Sequence, residues 1–231
     1  MRSIFISLLP LLVAGLLLSV SVTAGTDKTP RISVTESRWD FGSVPIDYKL
    51  IHYFVIENTG TADLIINRAI SNCDCTTIHL ADTLVPPDSA VNLKIIFDTK
   101  EYYGQTSREV IIDSNDPLDS TIELSYASVI GFFPKELLVE PKSLFFLKGQ
   151  AAREIKLMNK SAENIEYSIE MEPDSSFTLD RTAGEIEPGK EAILMVTPVQ
   201  KARGTHYSNF TVTYESNGKR RLTVPIKIVN F

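Results

Sequence analysis

The sequence predicts an all-β fold. Apolar and polar residues alternate with a period of two, and no segment beyond the first two dozen residues carries a convincing amphipathic helix. A set of landmarks also recurs in the same order at offsets near 101. Alternation at period two places successive side chains on opposite faces of a pleated strand, so one face meets a core and the other meets water.

The alternation is explicit in three runs. Ile122, Leu124 and Tyr126 interleave with Thr121, Glu123 and Ser125. Ile165, Tyr167 and Ile169 interleave with Glu166, Ser168 and Glu170. Leu222, Val224, Ile226 and Ile228 interleave with Arg221, Thr223, Pro225 and Lys227. Pro225 has no N–H to give a ladder, which predicts an edge strand or a bulge at that point.

The recurring landmarks define the domain organisation. Asn58 closes the apolar run Ile51–Glu57, and Asn159 closes Ile155–Met158. Pro87-Asp88-Ser89 precedes the strand-like Val91–Phe97, as Pro188-Gly189-Lys190 precedes Ala192–Val196. Gly104 and Gly204 each open a further strand, and Ser114-Asn115 and Ser216-Asn217 each precede a last one. Each copy therefore reads as about seven short strands in about 100 residues, the profile of an immunoglobulin-like β-sandwich. The expectation is two tandem immunoglobulin-like β-sandwich domains, residues 25–132 and 133–231. They meet at a short, semi-rigid joint near Gly131-Phe132-Phe133-Pro134.

Residues 1–24 read as a signal peptide and are set apart from the fold. Arg2 supplies a positive start, Ile4–Val20 an apolar stretch, and Val22-Thr23-Ala24 the small-residue pattern that precedes cleavage. The expected product is exported to the periplasm or the cell surface. The alternative is a chain anchored by an uncleaved N-terminal segment, which is just long enough to span a bilayer. No later segment is long and apolar enough to predict a membrane span.

The 231-residue chain carries a formal charge of −6, and that charge is uneven. Residues 25–132 hold 8 Lys/Arg against 16 Asp/Glu, whereas residues 133–231 hold 14 against 13. An acidic first domain repels a phosphate backbone and argues against nucleic acid as a partner.

The chemically pointed feature is Cys73-Asp74-Cys75. In an oxidising compartment two free thiols tend to pair. Full extension leaves the two Cα atoms near the upper limit for a disulfide, so a bridge needs a local turn. Three readings stay open: an inert structural pair, a redox-active or partner-linking pair, and a soft-metal site for copper or zinc that adds His79. Of the other histidines, His52 reads as a partly buried strand residue.

Other motifs read as turns. Gly184–Lys190 fits the opening of a phosphate loop, but Glu191 follows where Ser or Thr is needed, and a strand follows where a helix is needed. Asp113–Asp119 is rich in oxygen ligands but lacks the glycine and the closing glutamate of a calcium loop, and reads as a hairpin turn. Asn159-Lys160-Ser161 and Asn209-Phe210-Thr211 match the N-glycosylation sequon. No catalytic residue is nominated and no cofactor is predicted.

Several phrases together resemble a known family. They are Trp39–Val44, Phe54–Gly60, Leu64–Ile66, Ser71–Thr77 and Ser114–Pro117. Over about residues 36–130 the chain resembles domain of unknown function 1573, an exported bacterial family. The resemblance implies a fold similar to immunoglobulin-like and sperm-protein-like sandwiches, and it implies export, but it supplies no activity. The second copy lacks the Trp-Asp-Phe-Gly and cysteine phrases, and Asp74 stands where the family usually has Gly. The reading that follows is a non-catalytic binding or structural module of the cell envelope, engaging a protein or glycan through loops or sheet edges. The alternative is a thiol-redox or soft-metal-handling protein acting through Cys73 and Cys75.

Overall fold

The computed structural model describes residues 28–199 and 201–231, so the signal segment read at 1–24 lies outside the described residues. The described chain is all-β. In its first half the strands are β1 (Ile32–Val34), β2 (Arg38–Val44), β3 (Lys49–Asn58), β4 (Leu64–Ser71), β5 (Thr76–Leu80), β6 (Leu84–Val85), β7 (Ser89–Asp98), β8 (Gly104–Ser114) and β9 (Thr121–Ile130). In the second half they are β10 (Leu137–Glu140), β11 (Leu144–Leu147), β12 (Arg153–Asn159), β13 (Ile165–Met171), β14 (Phe177–Leu179), β15 (Ala183–Ile186), β16 (Glu191–Pro198), β17 (Gly204–Glu215) and β18 (Lys219–Asn230).

Two four-stranded sheets, in the orders β1-β3-β7-β5 and β10-β12-β16-β14, lie in the two halves. A ten-stranded sheet, ordered β15-β13-β17-β18-β2-β9-β8-β4-β6 with β11 also on β18, runs through both. The pairing of β10–β18 reproduces that of β1–β9, down to one parallel addition in each: β2 on β9 and β11 on β18. The seven runs expected per half become nine strands because two of them break, so that one piece pairs in each sheet. β1 and β2 are one such pair, and β5 and β6 the other.

Each half encloses its own apolar cluster. Phe41, Phe54, Phe97 and Tyr126 fill the first, and Phe146, Phe177, Phe210 and Tyr214 the second. Burying a side chain of this size is worth about 1.5–3 kcal/mol.

The two landmark asparagines explain themselves in hydrogen bonds. Asn58, buried, donates from Nδ2 to the carbonyls of Ala62 and Val85, both at 2.8 Å, and its Oδ1 accepts from Gly60 N–H. Asn159 donates to Glu163 and Ile186 at 2.8 and 2.7 Å, and accepts from Ser161 N–H. One side chain thus satisfies backbone groups from two turns that would otherwise be buried unpaired. Asn159 and Asn209 are almost wholly buried, which removes both sequons from the surface.

The sequence reading of Pro225 needs correction. It lies in the interior of the large sheet, in unbroken register with Asn209 of β17. On the other side β18 changes partner around it, from Ser43 opposite Leu222 to Leu144 opposite Ile226. A missing N–H is tolerated where one ladder ends and the next begins. Strand β18 is also covered on its second face: Thr223 is fully buried and donates through Oγ1 to the Phe41 carbonyl at 2.6 Å. Alternation alone places that face in water, but the first half of the chain packs on it.

Further contacts make this seam specific. The Ile51 N–H donates to Asn209 Oδ1 at 2.6 Å and the Tyr53 N–H to Glu172 Oε2 at 3.2 Å. His52 Nδ1 lies 3.0 Å from Glu172 Oε1. Trp39 stacks on His52 at 4.0 Å, and the Arg221 guanidinium lies 4.0 Å from the Trp39 ring centroid. Gly42, at φ 64°, lies so close to β18 that a Cβ there would fall 2.0 Å from the Arg221 carbonyl oxygen, so no other residue fits without displacing backbone.

The Ser114–Pro117 phrase is the β8–β9 turn, and its Asp116 is buried. Asp116 accepts from Arg31 at 2.6 Å and from the Ile32 N–H at 2.8 Å, tying β1 to the turn. Burial raises its carboxyl, but the N–H groups of Leu118, Ile32 and Asp119 and the Arg31 side chain outweigh that and hold it below the usual carboxylate range. A depressed folded value stabilises the fold above the unfolded value of about 3.9, and the contribution is lost as pH falls through the folded value. Asp116→Asn is expected to cost about 2 kcal/mol in urea unfolding at pH 7. Its deficit against the native chain should shrink below about pH 4.

Candidate functional site

The cysteine segment is the turn that links β4 to β5. The Thr76 N–H donates to the Cys73 carbonyl at 3.2 Å, closing the turn. The turn draws the two Cα atoms to 5.1 Å, and Cys73 and Cys75 are joined in a disulfide. The local turn that the spacing demands is therefore present, with Asp74 exposed at its tip.

Neighbouring strands anchor both ends of the turn. Asn72 and Glu109 of β8 exchange hydrogen bonds through backbone and side chain, and the Cys73 N–H donates to Ser71 Oγ at 3.2 Å. On the far side the Asp98 N–H, at the end of β7, donates to the Cys75 carbonyl at 2.9 Å. Between the turn and the β7–β8 loop lies a depression of about 220 Å³, lined by Asp74, Cys75, Asp98, Lys100, Glu101 and Tyr102.

The two sulfurs differ in surroundings. Cys73 Sγ lies 3.3 Å from the Tyr102 hydroxyl and 3.1 Å from the Cys75 N–H. A disulfide sulfur carries no proton, so both neighbours donate to it. Among the described residues, Cys75 Sγ has only the Thr76 hydroxyl as a hydrogen-bond neighbour, at 3.7 Å. The Thr76 hydroxyl is also hydrogen-bonded to the Tyr126 hydroxyl. Burial pushes Tyr126 up to about 12, against the opposing pull of that bond and of Arg108. Tyr126 therefore stays protonated near neutral pH. Tyr102 packs on Phe97, with the Arg108 guanidinium 4.7 Å from its ring centroid.

His79 does not join the sulfurs. It lies exposed on β5 opposite Lys94. No group of three or more His, Cys, Asp or Glu placed to hold a metal occurs among the described residues. His52 is more buried than the sequence suggests, at 5% exposure, because the second half covers it. Tyr102, Arg108 and Tyr126 escaped sequence reasoning. Tyr102 and Tyr126 stand 29 and 50 residues from the sulfur and hydroxyl they meet, and alternation marks Tyr126 as core but not as a partner of Thr76.

Fold and site together define an all-β sandwich protein with a half-buried disulfide turn between two strands. Residues 32–130 match the family model described as "Protein of unknown function (DUF1573)". No curated protein matches the chain. Among solved structures, the human CEP192 ASH/PapD-like domain 7 is 12% identical, covering 43% of this chain and 89% of its own, at TM-score 0.38. The Caenorhabditis elegans MSP-domain-like protein SSP-19 is 16% identical over 40% of this chain and 99% of its own, at TM-score 0.37. A protein of unknown function from Porphyromonas gingivalis W83 is 15% identical over 85% and 99%, at TM-score 0.35. No helix among the described residues is long and apolar enough to cross a membrane.

A bridge between residues two apart closes a very short loop, so it removes little entropy from the unfolded chain. Cys73→Ser/Cys75→Ser is expected to lower stability by only about 1–2 kcal/mol, with the β-sheet circular dichroism unchanged.

Proposed function

We propose that the chain is an exported, non-catalytic binding module of the cell envelope. In this reading two tandem immunoglobulin-like domains, residues 25–132 and 133–231, follow a signal peptide at 1–24, and the partner is a protein rather than a glycan. The Arg2-to-Ala24 pattern supports export, and so does a disulfide, which persists in oxidising compartments.

One observation carries the binding reading: β5 is an unprotected edge. Its residues pair with β7 from Thr76 to Leu80, and no strand pairs with its other side among the described residues. It is the longest of the strands that end a sheet. Soluble proteins blunt such edges with lysine, proline, inward charge or a bulge. Thr76-Thr77-Ile78-His79-Leu80 has no lysine or proline, and its register with β7 is unbroken. The four-residue edges β10 and β15 carry Glu140 and Glu185, and the edges β1 and β14 are only three residues long. A free row of backbone donors and acceptors is satisfied by adding an extended segment of another chain, main chain to main chain.

The test is site-specific photocrosslinking in the envelope of the source cells. Probes at Thr77 and His79 on β5 are expected to trap a discrete protein, while a probe at Glu154 on β12 traps none. Equal labelling at all three positions, or retention by a polysaccharide with no protein adduct, would overturn the reading.

A further inference from the structure

We propose that Cys73–Cys75 is a thiol–disulfide exchange site, attacked at the Cys75 sulfur by a cysteine thiolate of a partner protein and releasing Cys73 as the thiolate.

Access and leaving-group stabilisation point to the same direction of attack. Cys75 packs on the edge of the first core and lines the depression beside the β7–β8 loop, and Cys73 does not line it, so the depression offers the approach to Cys75. Cys73 receives the two closer donors, the Tyr102 hydroxyl at 3.3 Å and the Cys75 N–H at 3.1 Å. Donors that already face a sulfur stabilise the negative charge it acquires on leaving, and exchange is faster when the leaving thiolate is better stabilised. The Arg108 guanidinium lies over the Tyr102 ring, 4.7 Å from its centroid.

The step balances without an external oxidant. The partner thiolate forms a bond to Cys75 Sγ, the Cys73–Cys75 bond breaks, and its electron pair leaves on Cys73. The partner sulfur is oxidised to the mixed disulfide, and Cys73 is reduced. A second thiol of the partner, or the returning Cys73 thiolate, resolves the adduct.

The rim also selects the partner's charge. Asp74, Asp98 and Glu101 face one lysine, Lys100, across the depression. An acidic rim repels an anionic thiolate, so the fitting partner presents its cysteine among basic side chains.

Small thiols test this on the native oxidised chain without any partner. After brief exposure to cysteamine and quenching with iodoacetamide, peptide mass mapping should place cysteamine on Cys75 and the alkyl group on Cys73. The rate with mercaptoacetate, a dianion when ionised, should rise with salt, while that with cysteamine, a zwitterion, should barely change. Tyr102→Phe keeps the ring on Phe97 and removes the donor. It should slow exchange roughly three- to tenfold. Adducts mainly on Cys73, no exchange until the chain is denatured, or an unchanged rate in a folded Tyr102→Phe variant would each overturn the proposal. If that variant fails to fold, adduct mapping on the unaltered chain decides. A failed crosslink at β5 would leave this result standing, because the readout needs no bound partner.

Discussion

Two backbone N–H groups on one edge of β3 hold the molecule's shape. Strand β1 covers that edge only from Ile56 to Asn58, and the edge then runs on past Tyr53 and Ile51 with no strand paired to it among the described residues. Left there, it would be an open ladder buried against apolar surface, a costly arrangement for peptide groups. The second half supplies the acceptors instead, Asn209 to Ile51 and Glu172 to Tyr53. Once those bonds form, β2 lies against β18, the Gly42 backbone closes on Arg221, and Trp39 lies between His52 and Arg221. The ten-stranded sheet runs through this junction, where β18 meets β2 at Leu222 and Ser43.

The same balance of satisfied and unsatisfied edges marks β5 as the proposed docking edge. The β3 edge is capped from within the chain, and that of β18 is shared between β2 and β11. Strand β5 has neither device and carries no charge along its length. The disulfide turn enters β5 directly, so the open edge starts from a rigid point fixed to both β7 and β8. The proposed recognition and sulfur chemistry thus occupy neighbouring places but depend on different atoms, main-chain groups in one case and two sulfurs in the other.

Much of the fold was legible because its signals are local. Alternation placed Leu124, Tyr126, Ile165 and Tyr167 in the cores, where they are buried. Asn58 and Asn159 stood out by position, and they make the same hydrogen bonds in each half. The seam was not legible. Asn209 lies 158 residues from Ile51, and a buried polar side chain that serves distant backbone looks in sequence like a surface residue, here even like a glycosylation site. Pro225 misled for a related reason: proline reports a missing donor, and a change of ladder partner meets that condition as well as an edge does. At the cysteines, the need for a turn was readable from spacing. The asymmetry between the sulfurs was not, because Tyr102 arrives from another loop.

Amide hydrogen exchange at Ile51 and Tyr53 tests the seam most directly. Their N–H groups point away from β7, so only Asn209 and Glu172 can protect them. Exchange as slow as that of Leu50 and His52, which flank Ile51 on β3, is the result this structure requires. Ile51 and Tyr53 exchanging at loop-like rates while Leu50 and His52 stay protected would show that the halves are not joined in this way.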